Sequence, residues 1–219
     1  HGKPLQINTN VRIEGVTAVD CTHILRTANN PHGHASLTIR DAIGVRCTFP
    51  LKLSNTQDLT LENILITDQP AGDKPPISIT NSDGVSVRDV VLRGNAYTGP
   101  GLLIENSSDV RIGGVNLLGG ANALANAVLV RATEERALSG LRVHGVVSGA
   151  VNGAGILLEK AGEKATLSDV VIAGNAATVE DQFKSERTVI EDNTAPVPPK
   201  AVEGEAWKRH NIDNSSDGG

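Results

Sequence analysis

The sequence predicts an all-β fold: a parallel β-solenoid of about seven coils, each of roughly 26 residues with three short strands. Three observations carry this. First, in-out-in triplets of apolar residues return in fixed order. Leu51-Lys-Leu53, Leu59-Thr-Leu61 and Ile64-Leu-Ile66 are followed by Ile77-Ser-Ile79, Val85-Ser-Val87 and Val90-Val-Leu92, then by Leu102-Leu-Ile104, Val110-Arg-Ile112 and Val115-Asn-Leu117. Such alternation buries one face of a strand, and three strands a, b and c joined by tight turns make one coil. Second, the turn between b and c ends at Gly15, Asp41, Asn63, Asp89, Gly114, Gly140 and Asp169, spaced by 26, 22, 26, 25, 26 and 29 residues. These are the residue types that tolerate left-handed backbone. Third, Asn55, Asn81 and Asn106 each sit two residues beyond the last inward residue of strand a. Stacked in register, they form a ladder whose amides satisfy one another and the turn backbone.

The elements follow in chain order. The chain contains no Met and opens almost directly on the strand Leu5-Gln-Ile7. An uncovered first coil exposes strand edges, so the expectation is an excised chain with coils upstream, or an end covered by a partner or by the chain's own tail. In the second coil, strand c (Ala42 to Val45) reads as shifted by one residue. In the sixth, strand b falls near Arg136-Ala-Leu138, which turns Arg136 inward or demands a bulge. Length variation gathers after strand c, at 67–76, 93–100, 118–126 and 144–154, and insertions on one side of a solenoid commonly form a functional rim. The repeat fades after about Val179. Residues 1–178 are therefore expected to be the solenoid, and 179–219 a cap and linker with a partly disordered tail. In that tail Thr188-Val-Ile190 is a last strand, Ala195-Pro-Val-Pro-Pro199 a stiff connector and Trp207 a cap on the final coil.

Composition narrows the partners. The 219 residues carry a net charge of −5, with no basic cluster longer than Lys208-Arg209-His210, so nucleic-acid binding is not expected. No apolar run reaches the length of a membrane-spanning helix. Aromatic residues are 2% of the chain, which excludes a broad stacking platform. Cys21 and Cys47 each follow a b–c turn residue by six positions, and stacked coils lie about 4.8 Å apart. A disulfide fits that separation and places the chain in an oxidising compartment: secreted, periplasmic, or on a cell or virion surface. Two stacked free thiols are the alternative.

The turn column and the row Asn55, Asn81, Asn106 resemble the right-handed parallel β-helix of the pectate-lyase-like superfamily, over roughly residues 5–178. The resemblance implies polysaccharide lyases, hydrolases and epimerases, or tailspikes and adhesins. The hydrolases of that superfamily carry Asn-Thr-Asp, Asp-Asp, Gly-His-Gly and Arg-Ile-Lys elements. Here Asn8-Thr-Asn10 lacks the acid and Arg111-Ile-Gly113 lacks the lysine, so the paired carboxylates of hydrolysis are missing. If the chain is an enzyme, a lyase or epimerase is expected rather than a hydrolase.

The outward residues of strand a read Gln6, Lys52, Ser78, Leu103, Leu129 and Leu157; at the strand edge the row reads Arg26, Ser54, Thr80, Glu105, Arg131 and Glu159. Candidate catalytic residues are Lys52, Arg26, Glu105 and Arg131, with a solvated charged rim as the alternative. Tyr97 is the candidate for stacking on a sugar ring. Asp58, Asp83 and Asp109, in successive a–b turns, are candidates for Ca²⁺, though aspartate is also a routine turn residue. His32-Gly-His34 has the spacing to touch one metal, or is a plain polar loop. No other cofactor is implied: Gly113-Gly114 and Gly119-Gly120 lack the context of a phosphate loop. The apolar stripe Leu103, Leu129, Leu157 suggests burial against a loop, a tail or an identical subunit. Two functions stand side by side: an extracellular domain that binds or processes polysaccharide, and a non-catalytic structural or adhesive module.

Overall fold

The computed structural model describes residues 9–27, 33–72, 74–118, 123–133, 137–149, 151–183, 187–194 and 207–209. Among them there is no helix; the chain winds as a parallel β-solenoid of about six turns. Strand a of successive coils builds a seven-stranded sheet from Leu25–Arg26, Leu51–Ser54, Ile77–Thr80, Leu102–Glu105, Val128–Ala132, Ile156–Lys160 and Val179–Asp181. Strands b and c run together as kinked strands, His34–Val45, Thr56–Thr67, Ser86–Arg93 and Arg111–Leu118, in a second sheet. That sheet continues through Arg142–His144, Val170–Ala173, Thr188–Glu191 and Trp207–Arg209, so stacking proceeds past residue 178. The opening strand Leu5-Gln-Ile7, Arg136 and the connector at 195–199 lie outside the described residues.

The core is a set of vertical apolar files. Leu53, Ile79, Ile104, Val130 and Leu158 stand over one another from strand a. Leu61, Val87, Ile112, Val143 and Ile172 do so from strand b. All are at most 2% exposed. Each such side chain contributes about 1.5–3 kcal/mol by leaving water, but only because a neighbour closes the layer above and below.

The corners explain the turn residues. One file runs Gly15, Asp41, Asn63, Asp89, Gly114, Gly145, Gly174, Asp192 between b and c; another runs Asn10, Ser36, Asp58, Gly84, Asp109, Gly140, Asp169 between a and b. A third runs Asp20, Arg46, Asp68, Gly94 after c, and Asn55, Asn81, Asn106 close strand a. Every one has positive φ, from 49° at Asn106 to 74° at Gly140. This corrects the turn column read from the sequence: Gly140 and Asp169 belong to the a–b corner, and Gly145 and Gly174 take their expected places. Strand b of the sixth coil is accordingly the segment around Arg142–His144, not Arg136-Ala-Leu138.

The second coil is not shifted. Ala42 pairs with Ile64 and Gly44 with Ile66 in straight register. Gly44 holds an inward position, and a Cβ there would lie 2.8 Å from Cδ1 of Ile24, whose side chain fills the space. The buried polar chain also differs from expectation. Hydroxyls one residue after the Asn column make it: the Thr56 N–H donates to Ser82 Oγ (3.2 Å) and the Ser82 N–H to Ser107 Oγ (3.1 Å). Asn106 Oδ1 instead accepts the Thr133 N–H at 2.9 Å. A further amide ladder, Asn175 over Asn193 (Nδ2 to Oδ1 2.8 Å), closes the last coils.

Candidate functional site: a cleft on the outer face of the strand-a sheet

Parallel register puts the outward residues of strand a in one file: Arg26, Lys52, Ser78, Leu103, Leu129, Leu157, Glu180. Arg26 therefore stands directly next to Lys52 and does not head the neighbouring row, as the sequence suggested. Thr27, the next residue, reaches that row with its side chain: its Oγ1 accepts the Ser54 N–H at 2.7 Å. The neighbouring row is Ser54, Thr80, Glu105, Arg131, Glu159.

Over the first coils these rows floor a cavity of about 640 Å³. Phe49, Lys74 and Pro75, from the segments that lead into strand a, form one wall; Lys52, Ser78, Leu103, Ser54, Thr80 and Glu105 form the floor; Asn55 and Asn81 form the far lip. Lys52 Nζ lies 5.5 Å from the Phe49 ring centroid, within cation–π range. His23 also packs against Phe49, the two ring centroids 5.6 Å apart. Burial, and then the charges of Arg26 and Lys52, hold His23 below the usual histidine range. One end of the cleft is thus cationic, with hydroxyls at its centre.

At the other end Arg131 is bound between two acids: its Nε is 2.5 Å from Glu159 Oε2 and its Nη1 3.5 Å from Glu105 Oε2. Among the sequence candidates, Lys52 and Glu105 line the cleft, Arg26 flanks it, and Arg131 is committed to this ion ladder. Phe49 and Lys74 were missed. Their signal was position, since each lies within three residues of the start of a strand a.

The remaining candidates resolve differently. Tyr97 is 2% exposed and belongs to the core, so it presents no face to a sugar ring; the aromatic side chain at the cleft is Phe49. Asp58 and Asp109 occupy one corner file with Gly84 between them, two coils apart, and each directs Oδ1 over the next glycine in that file. Asp83 is one residue out of that file, bridging Gln57 and Ser108. These three do not gather, and among the described residues no three His, Cys, Asp or Glu side chains converge on a metal position. His34 is in strand b, while His32 lies outside the described residues. Cys21 and Cys47 do stack in adjacent coils, with Sγ atoms 2.8 Å apart, but as free thiols; the expected bond is not formed in this structure.

The stripe Leu103, Leu129, Leu157 continues the cleft floor upward. Leu129 is 5% exposed and its two neighbours are half-buried. No described helix is long and apolar enough to cross a membrane. Comparison with protein-family models, with curated proteins and with solved structures returns no match.

Proposed function

We propose that this chain is an extracellular β-solenoid domain that binds an acidic polysaccharide across the strand-a sheet, as a pectate-lyase-like, right-handed β-helix would. The observation that carries the reading is the cleft beside Lys52. It combines an aromatic wall (Phe49), two ammonium groups (Lys52 and Lys74) and a hydroxyl floor (Ser78 and Thr80). Sugar rings pack on aromatic faces, carboxylates pair with ammonium groups, and ring hydroxyls exchange hydrogen bonds with Ser and Thr. If the chain turns its ligand over, β-elimination or epimerisation fits better than hydrolysis, because Glu105 is the one carboxylate among the described lining residues.

A second reading is a non-catalytic structural or adhesive module, such as part of a tailspike or surface assembly. The stripe Leu103, Leu129, Leu157 favours it, as an apolar file whose half-buried ends, Leu103 and Leu157, are able to pack against a second copy. Titration of the chain with polygalacturonate, alongside an assay for unsaturated uronate products, separates the two. Binding that falls at least about tenfold in Lys52→Ala/Lys74→Ala supports the cleft. Absence of binding to any acidic glycan, with a dimer in solution broken by Leu157→Asp, supports the structural module.

A further inference from the structure

The outer face of the b-strand sheet, remote from the cleft, carries an unmatched cationic cluster. Ser86, Arg111 and Arg142 stand in one file, and Arg88, Gly113 and His144 in the next. All four basic side chains are exposed. Arg111 and Arg142 are direct cross-strand neighbours, about 4.8 Å apart at the backbone, and like charges so placed are destabilising. Other arginines of this strand and its corners are matched: Arg12 by Glu14, Arg40 by Glu62 at 2.8 Å, Arg187 by Asp169 at 3.0 Å. Among the described residues no carboxylate pairs with Arg88, Arg111 or Arg142.

The nearby acids do not pair with these arginines. Glu62, next to Arg88 in its file, is turned to Arg40. Asp89 and Asp109 direct their Oδ1 atoms over Gly114 and Gly140. Arg88 Nε donates to Ser86 Oγ at 3.2 Å. Gly113 is bare, and the His144 ring covers it: a Cβ there would lie 2.5 Å from Cε1 and 2.9 Å from Nε2. Three guanidinium groups and an imidazole thus frame a flat patch about 10 by 7 Å at the backbone, across three successive strands.

We propose that this patch binds the oxyanion groups, sulfate or carboxylate, of an anionic polysaccharide lying along the solenoid axis. Guanidinium groups bind such groups bidentately, and a bound anion relieves the repulsion between Arg111 and Arg142. The direction follows from the file leading into the patch, Thr38, Thr60, Ser86, Arg111, Arg142, which offers a polymer hydroxyls and then cations, one coil at a time. The choice of polymer rests on the glycan reading above; the oxyanion chemistry rests on this face alone.

The test uses the double variant Arg111→Thr/Arg142→Thr, which extends the threonine file, and Arg111→Lys/Arg142→Lys, which keeps charge but loses the bidentate fork. Heparin and polygalacturonate are the sulfated and carboxylated probes, and duplex DNA the polyanion control. The threonine variant is expected to melt no lower than wild type without ligand and to lose at least about tenfold in affinity for one of the two glycans, with the lysine variant between them. Unchanged affinity for both glycans, or absence of binding by wild type, overturns the proposal. Equal binding of DNA overturns the assignment to a glycan. Lys52→Ala/Lys74→Ala distinguishes the two surfaces: losses confined to that variant place the ligand in the cleft and refute this patch, while losses confined to the arginine variant refute the cleft.

Discussion

Ile79 and Ser78 are neighbours in the chain and face opposite sides of one strand. Ile79 is fully buried in the strand-a core file. Ile79→Asp places an unpaired carboxylate there, so a loss of more than about 4 kcal/mol is expected in denaturant unfolding. Ser78 is only 5% exposed, yet it stands beside Lys52 on the cleft floor, where a carboxylate meets an ammonium group. Ser78→Asp should change stability by less than about 1 kcal/mol. Equal losses in the two variants would show that inward and outward faces have been exchanged. Cys21 makes a second residue-scale case. Burial first, and then the Cys47 thiol, push its pKa to about 11. Since the thiolate is the nucleophile, alkylation at neutral pH should be slow and should accelerate as pH rises toward that value. Mild oxidation should join the two thiols within one chain, seen as a mass difference between reduced and non-reduced samples. The bond would span 26 residues and contribute about 3 kcal/mol.

At the scale of the element, the corners are the sensitive parts. Gly114 has φ of 68°, and a Cβ there would lie 2.9 Å from Asp89 Oδ1 and 3.3 Å from its backbone nitrogen. Gly114→Ala therefore meets both a left-handed backbone and an occupied space; thermal melting should show a loss of about 1–2 kcal/mol. Asn63→Gly, in the same file but exposed at φ 54°, should cost no more than a few tenths of a kcal/mol. The corner residues were legible in the sequence as a class, because few side chains accept positive φ. Their assignment was not. Gly140 and Gly145 both satisfy the local requirement, and only the pairing of Arg111 with Arg142 decides which lies between b and c.

At the scale of the molecule, the far end of the solenoid carries a carboxyl group where earlier coils have an apolar side chain. Asp181 follows Leu158 in the inward file of strand a. Burial raises its pKa to about 6, against the Phe183 N–H, which donates to Oδ1 at 2.8 Å and favours the charged form. The folded state therefore keeps this proton between about pH 4 and 6, where an unfolded chain has released it. Stability contributed by the neutral form is present at low pH and lost as pH rises through that window. Allowing for the solvent that reaches the group, about 1 kcal/mol is at stake. Asp181→Asn should remove that slope and raise the melting temperature at pH 7 by roughly 3 °C. A variant with the wild-type pH profile would show that Asp181 is ionised at no cost.

The sequence by itself determined the parallel stacking, the inward and outward alternation and the kinds of residue at the corners. Each of these is enforced within a few residues, by side-chain periodicity and by backbone sterics. The cleft was legible in part: Lys52, Ser78, Thr80 and Glu105 follow from alternation along strand a. Only the tertiary structure decided that Phe49 and Lys74 join them, that Arg26 lies beside Lys52, that Tyr97 is buried and that Arg131 is held by two acids. Those outcomes depend on how loops of unequal length return to the stack. Loop residues obey no period, so their neighbours are set by the coils above and below, not by their spacing in the chain.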